Sequence, residues 1–151
     1  MDTLKAHFAK FNYKTIQFSL SKGYVMVDIQ TNILFASGKY KLTRQSDVVL
    51  KELATVLQLQ PNVDFMVEGH ADNMKFKTKS LGLKDNLDLS LQRAAVVVRT
   101  LTKRYKIDPK RIITAGRGEH LPIADNNSKI GRSDNRRIRI VIIPTMGQYL
   151  K

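Results

Sequence analysis

Hydrophobic and polar residues alternate in four short segments of the chain. The segment 24–30, YVMVDIQ, is rich in β-branched residues and alternates, which predicts a first strand, and the apolar residues 33–35 predict a brief extension of it. The segments 63–69, 111–115 and 136–143 have the same character and predict three further strands.

Two longer segments repeat their apolar residues at the spacing of an α-helix. Residues 42–59 form the first, and Pro61 with Asn62 predicts its end. Residues 88–105 form the second, with Asp88 as the predicted N-cap. The apolar stripe of this second helix is predicted to face the core, and it consists of Leu87, Leu91, Ala94, Ala95, Val98 and Leu101.

Strands that alternate with helices and end in a closing strand predict a two-layer sandwich of the α/β (α+β) class. We expect a mixed sheet of about four strands in the order β-α-β-α-β-β, with the helices on one face. Residues 23–144 are predicted to form the domain. Residues 1–22 are interpreted as an N-terminal connecting segment, in which 1–12 would be the end of a helix, and 145–151 as a C-terminal tail. The stretch 116–135 is predicted to be a long, turn-rich connection.

Composition limits the kind of protein without choosing its function. The chain has 151 residues, of which 42% are hydrophobic, and this suits one globular domain. Cysteine is absent, which excludes disulfides, thiolate metal sites and cysteine nucleophiles. No apolar run approaches the roughly 18 residues of a membrane span. The first residues lack the apolar core of a signal peptide, so an exported protein would need a targeting segment outside this sequence.

The charge balance is strongly basic. Lysine and arginine number 26 against 13 acidic residues, which gives a formal net charge of +13. Such a charge attracts polyanions, whether nucleic acid, anionic lipid or a cell-wall polymer. Nucleic-acid binding is therefore an alternative function. Aromatic residues make up only 7% of the chain and do not alternate with basic residues as they do on base-stacking surfaces.

The stretch VEGHAD, residues 67–72, places Glu68, His70 and Asp72 at alternate positions. On a continuous strand these side chains would share one side. A metal site is disfavoured because the three histidines, at positions 7, 70 and 120, form no pair with ligand spacing. A serine hydrolase is disfavoured because the chain has no G-x-S-x-G turn. We interpret Glu68 and His70 as half-exposed sheet residues that make local hydrogen bonds.

Asp72 differs because it follows the end of the strand, where binding groups are common. Asn86, Ser90 and Arg93 form a polar stripe on the opening turns of the next helix, where backbone N–H groups favour an anion. Arg93 offers a forked donor suited to a carboxylate. If the strand end lies near the helix start, Asp72 and Arg93 would bind the two charges of a zwitterion. A simple salt bridge between them is an equally open alternative.

Four motifs in this order resemble a known family: VEGHADN, DNLDLSLQRAAVVV, AGRGEHLPIADNN and GRSDNRRIRIVI. They resemble the C-terminal domain of outer-membrane protein A (OmpA), which is shared with MotB and peptidoglycan-associated lipoprotein. The resemblance runs from residue 25 to 143. The long lysine-rich loop 73–85 is most similar to that of OmpA-like proteins of the Bacteroides group.

The resemblance implies a non-catalytic domain that binds peptidoglycan through the diaminopimelate of its stem peptide, with no metal and no cofactor. The side-chain end of diaminopimelate carries an ammonium and a carboxylate. The positions that match the family's binding residues are Asp72, Arg93, Asn86, Arg136 and, in the loop that would close the pocket, Ser37 and Gly38. Arg136 also shares strand parity with Ile138 and Ile140, which would place it at the mouth of the core-facing layer. Its alternative is a solvent-exposed arginine at a strand start.

The resemblance further implies a location in the periplasm of a Gram-negative bacterium, associated with the outer membrane. The outer membrane would be reached through an N-terminal anchor absent from this sequence, and no nucleic-acid partner is expected. The type of anchor, the oligomeric state (a dimer included) and the role of the lysines in loop 73–85 stay open. Ala71 and Ala36 depart from the family pattern, so hydrogen bonds close to the ligand are expected to differ.

Overall fold

A computed structural model describes residues 15–36, 39–75 and 82–144, together with Ala6 and Ala9. The helical end predicted for residues 1–12, apart from these two alanines, and the tail 145–151 lie outside the described residues.

The described residues form one mixed sheet with five strands in the spatial order β1-β2-β5-β3-β4. The β3–β4 pair is parallel and the other pairs are antiparallel. This arrangement confirms the predicted α+β class and mixed sheet. The strands are β1 (Ile16–Ser21), β2 (Tyr24–Gln30), β3 (Val63–His70), β4 (Ile112–Gly116) and β5 (Arg137–Pro144).

The first strand was not predicted. Residues 16–21 were assigned to the connecting segment 1–22, and that assignment is wrong for them because they pair along their whole length with β2. Lys22 and Gly23 join the two strands with positive φ angles of 52° and 82°. Two such residues suit the tight turn of a β-hairpin. The sheet therefore has one strand more than the predicted four.

The described helices are α1 (Thr31–Leu34), α2 (Arg44–Gln58), α3 (Asn86–Lys103) and α4 (Lys129–Asn135), with a 3₁₀ turn at Pro109–Arg111. The two long helices confirm the helical periodicity. The strand extension over 33–35 is wrong, because α1 covers Ile33 and Leu34. The connection 116–135 is not all turn, because it contains α4. Within the described residues, no helix has both the length and the apolar character needed to cross a membrane.

The N-terminus of α3 is fixed by Asp85 rather than by Asp88. The Asp85 side chain accepts a hydrogen bond of 2.9 Å from the backbone N–H of Asp88, which is the usual N-cap geometry. The helix therefore starts at Asn86, earlier than predicted, and Asn86 lies in its first turn.

The helices α2 and α3 pack on one face of the sheet around a core that includes Phe65, Ile138 and Ile140. Two glycines let α3 approach the strands closely. A Cβ atom at Gly69 would lie 2.0 Å from the carbonyl oxygen of Ser90, and one at Gly116 would lie 2.9 Å from the Cα of Leu91. The opening turns of α3 therefore lie directly on the ends of β3 and β4.

This close approach also changes which side of α3 is buried. Leu87 and Leu91 were predicted to face the core, but both are exposed. Contact at Gly69 turns Ser90 towards the sheet instead, so the predicted stripe is wrong in the first turns of the helix. Farther along, Ala94 and Leu101 are buried as predicted. The buried residues of α3 are Leu89, Ser90, Arg93, Ala94, Val97 and Leu101.

Asn135, the last residue of α4, stabilises the connection between β4 and β5 through side-chain hydrogen bonds. Its side-chain oxygen accepts hydrogen bonds from the N–H groups of Ile123 and Ala124 at 2.8 and 2.9 Å, and its side-chain nitrogen donates to the Ala124 carbonyl at 2.9 Å. Since Arg136 and Arg137 follow directly, this anchoring fixes where both arginines enter the sheet.

Candidate ligand-binding site

Asp72 lies two residues beyond the end of β3 and is 6% exposed. One carboxylate oxygen, Oδ1, accepts a hydrogen bond of 3.0 Å from the backbone N–H of Met74. The other, Oδ2, accepts one of 2.5 Å from Nη1 of Arg136. Asp72 is therefore a largely buried carboxylate whose two oxygens are held from different directions.

Asn86 holds the segment that contains Asp72 through two hydrogen bonds. Its side-chain nitrogen donates to the carbonyl oxygens of Asp72 at 3.2 Å and of Met74 at 2.8 Å. The first turn of α3 and the segment after β3 are thereby brought together. This is the proximity of strand end and helix start on which the zwitterion hypothesis depends.

Arg93 lies on the same helix and is 4% exposed. Its Nε donates a hydrogen bond of 2.9 Å to the carbonyl oxygen of Lys39, and its guanidinium carbon lies 5.4 Å from the centre of the Phe35 ring. Within the described residues its two Nη groups donate no hydrogen bond. Arg93 is thus held in place at Nε while its Nη groups remain available.

The pKa of Arg93 is lowered to about 10, chiefly because burial disfavours the charged form. The nearby charge of Arg136 lowers this pKa further, and that of Asp72 raises it. With a pKa of about 10, Arg93 remains positively charged at neutral pH.

The direct partner of Asp72 is Arg136. Among the described residues the ion pair of Asp72 is made with Arg136, so a simple Asp72–Arg93 salt bridge is not what the fold forms. Arg136 is the residue after α4 and directly precedes β5, and its side chain is 39% exposed. The side chain of Arg136 is thus partly exposed, as the alternative expects, and is also paired with Asp72.

Ser90 does not line the site. It donates a hydrogen bond to the Leu87 carbonyl and accepts one of 2.9 Å from the backbone N–H of Gly118. Ser90 is buried against the sheet, so these hydrogen bonds stabilise the packing of α3 and leave its hydroxyl away from a ligand. The stripe that reaches the site is reduced to Asn86 and Arg93.

Ser37 and Gly38 lie outside the described residues. The residues on either side of them contact Arg93: the Phe35 ring lies near its guanidinium, and the Lys39 carbonyl accepts from its Nε. The chain on both sides of the predicted closing loop is therefore adjacent to Arg93.

Glu68 and His70 are not half-exposed, as predicted, but 2% and 1% exposed. They lie on the sheet face opposite α2 and α3, where Arg117 and Leu121 of the connection between β4 and β5 contact Glu68 and the neighbouring Arg137. Glu68 Oε1 lies 2.5 Å from His70 Nε2, and Glu68 Oε2 accepts a hydrogen bond of 3.1 Å from Arg117 Nε. The local hydrogen bonds were expected, and the burial was not.

This burial shifts the pKa values of both groups. Burial alone would raise the pKa of Glu68, but hydrogen bonds from His70 and Arg117 outweigh it and lower the pKa to about 2. The pKa of His70 is lowered by burial, against the opposing effect of Glu68, and the charges of Arg137 and Arg139 lower it further. Glu68 is therefore charged and His70 neutral at pH 7.

The same face carries an ion pair that the sequence did not reveal. Arg139 donates to both carboxylate oxygens of Asp28, at 2.7 and 3.0 Å. Arg137 is buried beside it and donates to the carbonyl oxygens of Asn135 and Leu121, each at 3.1 Å. The missed signal is the alternation of Arg137 and Arg139 along β5, which places both side chains on one face of the sheet. Asp28 on the neighbouring strand β2 faces the same side, because it is paired with Arg139 in the sheet. Among the described residues, no three His, Cys, Asp or Glu side chains are grouped so that they could hold a metal.

Comparison with known families identifies the class of protein. The sequence model of the OmpA family matches residues 34–136, a range that contains Asp72, Asn86, Arg93 and Arg136. The match covers more than half of the chain, and the chain belongs to the OmpA family.

Curated relatives come from several bacteria. Motility protein B of Bacillus subtilis is 32% identical over 120 residues, which are 80% of this chain and 45% of that protein. Outer membrane protein Omp38 of Acinetobacter baumannii is 33% identical over 74% of this chain and 30% of its own length. Peptidoglycan-binding protein ArfA of Mycobacterium bovis is 36% identical over 73% of this chain and 32% of its own. The chain thus spans less than half the length of these relatives.

Solved structures confirm the fold. A MotB-like protein from Desulfovibrio vulgaris superposes with a TM-score of 0.87 at 24% identity, over 95% of this chain and 88% of that one. The cell wall anchor of the T6SS from Pseudomonas aeruginosa superposes with a TM-score of 0.82 at 27% identity, over 95% of this chain and 96% of that one.

Proposed function

We propose that this domain binds peptidoglycan without cutting it, through the diaminopimelate of the stem peptide. The observation that carries the proposal is the buried carboxylate of Asp72, which pairs with the guanidinium of Arg136 and interacts electrostatically with that of Arg93. The names of the relatives support the general function, since ArfA is a peptidoglycan-binding protein and the Pseudomonas structure is a cell wall anchor.

The arrangement of charges suits the two ends of a zwitterion. Asp72 would accept hydrogen bonds from the ligand's ammonium, and the Nη groups of Arg93 would donate to its carboxylate. Arg93 is already fixed by the Lys39 carbonyl and the Phe35 ring, so little side-chain freedom is lost on binding. Asn86 would act by holding the Asp72 segment in place. The predicted contribution of Ser37 and Gly38 is closure of the pocket beside Arg93.

A hydrolytic function finds no support in the Glu68–His70 pair. Both side chains are buried under the connection between β4 and β5, so they cannot reach a polymer outside the domain. A general base must come within hydrogen-bond distance of the proton that it abstracts. We therefore assign the pair a structural role and the domain a binding role.

The domain would tether the outer membrane to the cell wall. The relatives include an outer membrane protein and a cell wall anchor, which supports a place in the cell envelope. We propose the periplasm of a Gram-negative bacterium, with attachment to the outer membrane through an N-terminal anchor.

Cosedimentation with purified peptidoglycan sacculi tests the proposal. Asp72→Ala and Arg93→Ala each remove a hydrogen bond to a charged group, which should weaken binding roughly ten- to a hundred-fold. Arg99→Ala is the matched control, because Arg99 is an exposed arginine on the same helix. Undiminished cosedimentation of the two site variants would contradict the proposed site.

Binding of a polyanion such as nucleic acid is the second candidate, favoured by the net charge of +13. A salt titration with duplex DNA separates it from the first. Binding through general charge should weaken steeply as salt rises and should be the same for wild type and Asp72→Ala. Salt-resistant DNA binding that depends on Asp72 would contradict the assignment of this site to peptidoglycan.

A further inference from the structure

We infer that Arg136 makes the site selective for a ligand with a carboxylate next to its ammonium, because it competes with the ammonium for Asp72. The inference rests on the proposed function and concerns which chemical groups the same site accepts.

The competition follows from the contacts of Asp72. The Met74 N–H holds Oδ1 from the protein side, and Arg136 Nη1 holds Oδ2 at 2.5 Å. Since Asp72 is 6% exposed, an incoming ammonium has little access to the remaining acceptor positions of the carboxylate. The Arg136 side chain is 39% exposed and is therefore the movable group at the opening. A ligand ammonium reaches Asp72 by displacing it.

Displacement is unfavourable for a ligand that is only an amine. Arg136 would lose its anionic partner while its charge still acts on Arg93. The pKa of Arg93 is lowered chiefly by burial and further by the charge of Arg136. A ligand carboxylate changes this balance, because it gives both guanidinium groups a new partner. The ammonium and the carboxylate must therefore arrive together for the exchange to be favourable.

The two arginines differ in their freedom to take part in this exchange. Arg93 is buried, held at Nε by the Lys39 carbonyl and placed near the Phe35 ring. Arg136 has a fixed backbone, since its N–H donates to the Arg132 carbonyl at 3.0 Å, and a partly exposed side chain. Arg93 thus provides a rigid carboxylate-binding group, and Arg136 is the residue that moves from Asp72 to the ligand.

Three related compounds test the inference. The first is meso-diaminopimelate, the second is cadaverine, which has the two amines and no carboxylate, and the third is pimelate, which has the two carboxylates and no amine. Affinities are measured from backbone amide shifts in NMR titrations of wild type and of Arg136→Gln. Thermal unfolding verifies that the variant is folded.

We expect wild type to bind diaminopimelate more tightly than either partial compound. In Arg136→Gln the competitor of the ammonium is gone, so cadaverine should bind more tightly than it does to wild type. Diaminopimelate should bind more weakly by roughly ten-fold or more, because one charged donor to its carboxylate is lost. The preference for diaminopimelate over cadaverine should therefore fall by more than the loss of diaminopimelate affinity alone.

Two further variants keep the result interpretable. Lys129→Gln removes an exposed charge on α4 and should leave all three affinities unchanged. Arg136→Lys keeps the charge without the forked guanidinium and should change the preference in the same direction by a smaller factor. This variant provides the test if Arg136→Gln does not fold.

The outcomes separate this inference from the proposed function. If Arg136→Gln weakens diaminopimelate and cadaverine by the same factor, Arg136 is not selective and the inference is wrong, while the function stands. If wild type binds neither diaminopimelate nor sacculi, the proposed function is wrong and the inference fails with it.

Discussion

Arg136 and Arg137 are consecutive in the chain but belong to two different charge clusters. Arg136 joins Asp72 and Arg93 at the start of α3, where its side chain is partly exposed. Arg137 is buried on the opposite face of the sheet, beside the Asp28–Arg139 pair and the Glu68–His70 pair. The backbone alternates between the two faces at this point, so one residue step separates a candidate binding group from a structural one.

The difference between the clusters lies in access and in the arrangement of partners. In the covered cluster Arg139 uses two donors on the two oxygens of Asp28, and Arg137 donates to two backbone carbonyls. In the open cluster Asp72 pairs with Arg136, and the Nη groups of Arg93 donate to no described residue. The same residue types therefore stabilise the fold where they are sealed and paired, and suit a ligand where one side remains open.

The largest effect is expected from Asp28→Ala, which breaks the covered cluster. It leaves Arg139 and Arg137 without their carboxylate on a largely buried face, and the loss of one partner of a buried pair costs about 3–5 kcal/mol. Urea denaturation should show this loss in the free energy of unfolding. Glu119→Ala, at a partly buried loop position, serves as the control and should change it by less than about 0.5 kcal/mol. If Asp28→Ala lowered the free energy of unfolding as little as the control does, the covered cluster would not stabilise the fold.

A smaller effect should follow from acid, through the same cluster. The folded pKa of Glu68 is lowered from 4.5 to about 2, and that of His70 is lowered from 6.5. The unfolded chain therefore binds protons that the folded domain does not, and stability should fall as pH decreases from about 6.5, and further between about 4.5 and 2.

His70→Gln separates the two parts of this acid response. It removes the group that titrates first, so the decline between about pH 6.5 and 4.5 should become shallower. The loss below 4.5 should remain but become smaller, because Arg117 still lowers the pKa of Glu68 while the imidazole of His70 no longer does. Unfolding measured by denaturant at a series of pH values gives both slopes. An unchanged profile in His70→Gln would mean that the burial of this histidine does not control the response.

The smallest effect is expected at an exposed arginine–carboxylate pair, Arg104 with Asp47, which lies in solvent at the end of α3. Exposed pairs contribute little because water and salt screen the charges. Arg104→Ala should leave the midpoint of urea unfolding and the cosedimentation with sacculi unchanged. A clear destabilisation would show that solvent exposure does not determine how much an arginine–carboxylate pair contributes to stability here.

Much of the fold was predictable because it depends on local periodicity. The alternation in β3 and β5 and the helical spacing in α2 and α3 gave these elements within a few residues of their ends. The strand β1 was predictable on the same grounds, because Ile16, Phe18 and Leu20 alternate with polar residues up to the Lys22–Gly23 turn. The assignment of residues 1–22 to a connecting segment overlooked this pattern. The orientation of α3 depends on the contact of Gly69 with Ser90, which no periodicity within the helix contains.

The candidate site was predictable in its residues and not in its pairing. Asp72, Asn86 and Arg93 follow from their positions at a strand end and a helix start, and Arg136 from the resemblance to the family. Arg136 pairs with Asp72 because it lies where α4 ends and β5 begins. Both elements are distant in sequence from β3, so the pairing could not be predicted from local sequence. The burial of Glu68 and His70 depends on the same connection, which the sequence presents only as a turn-rich stretch.

The most direct test of the central claim is a titration of the wild-type domain with meso-diaminopimelate, followed by backbone amide shifts. We expect saturable shifts at residues 72, 86, 93 and 136, with residues 28, 68 and 139 in the covered cluster unaffected. Shifts confined to the covered cluster, or no saturable shift at the four site residues, would contradict this claim.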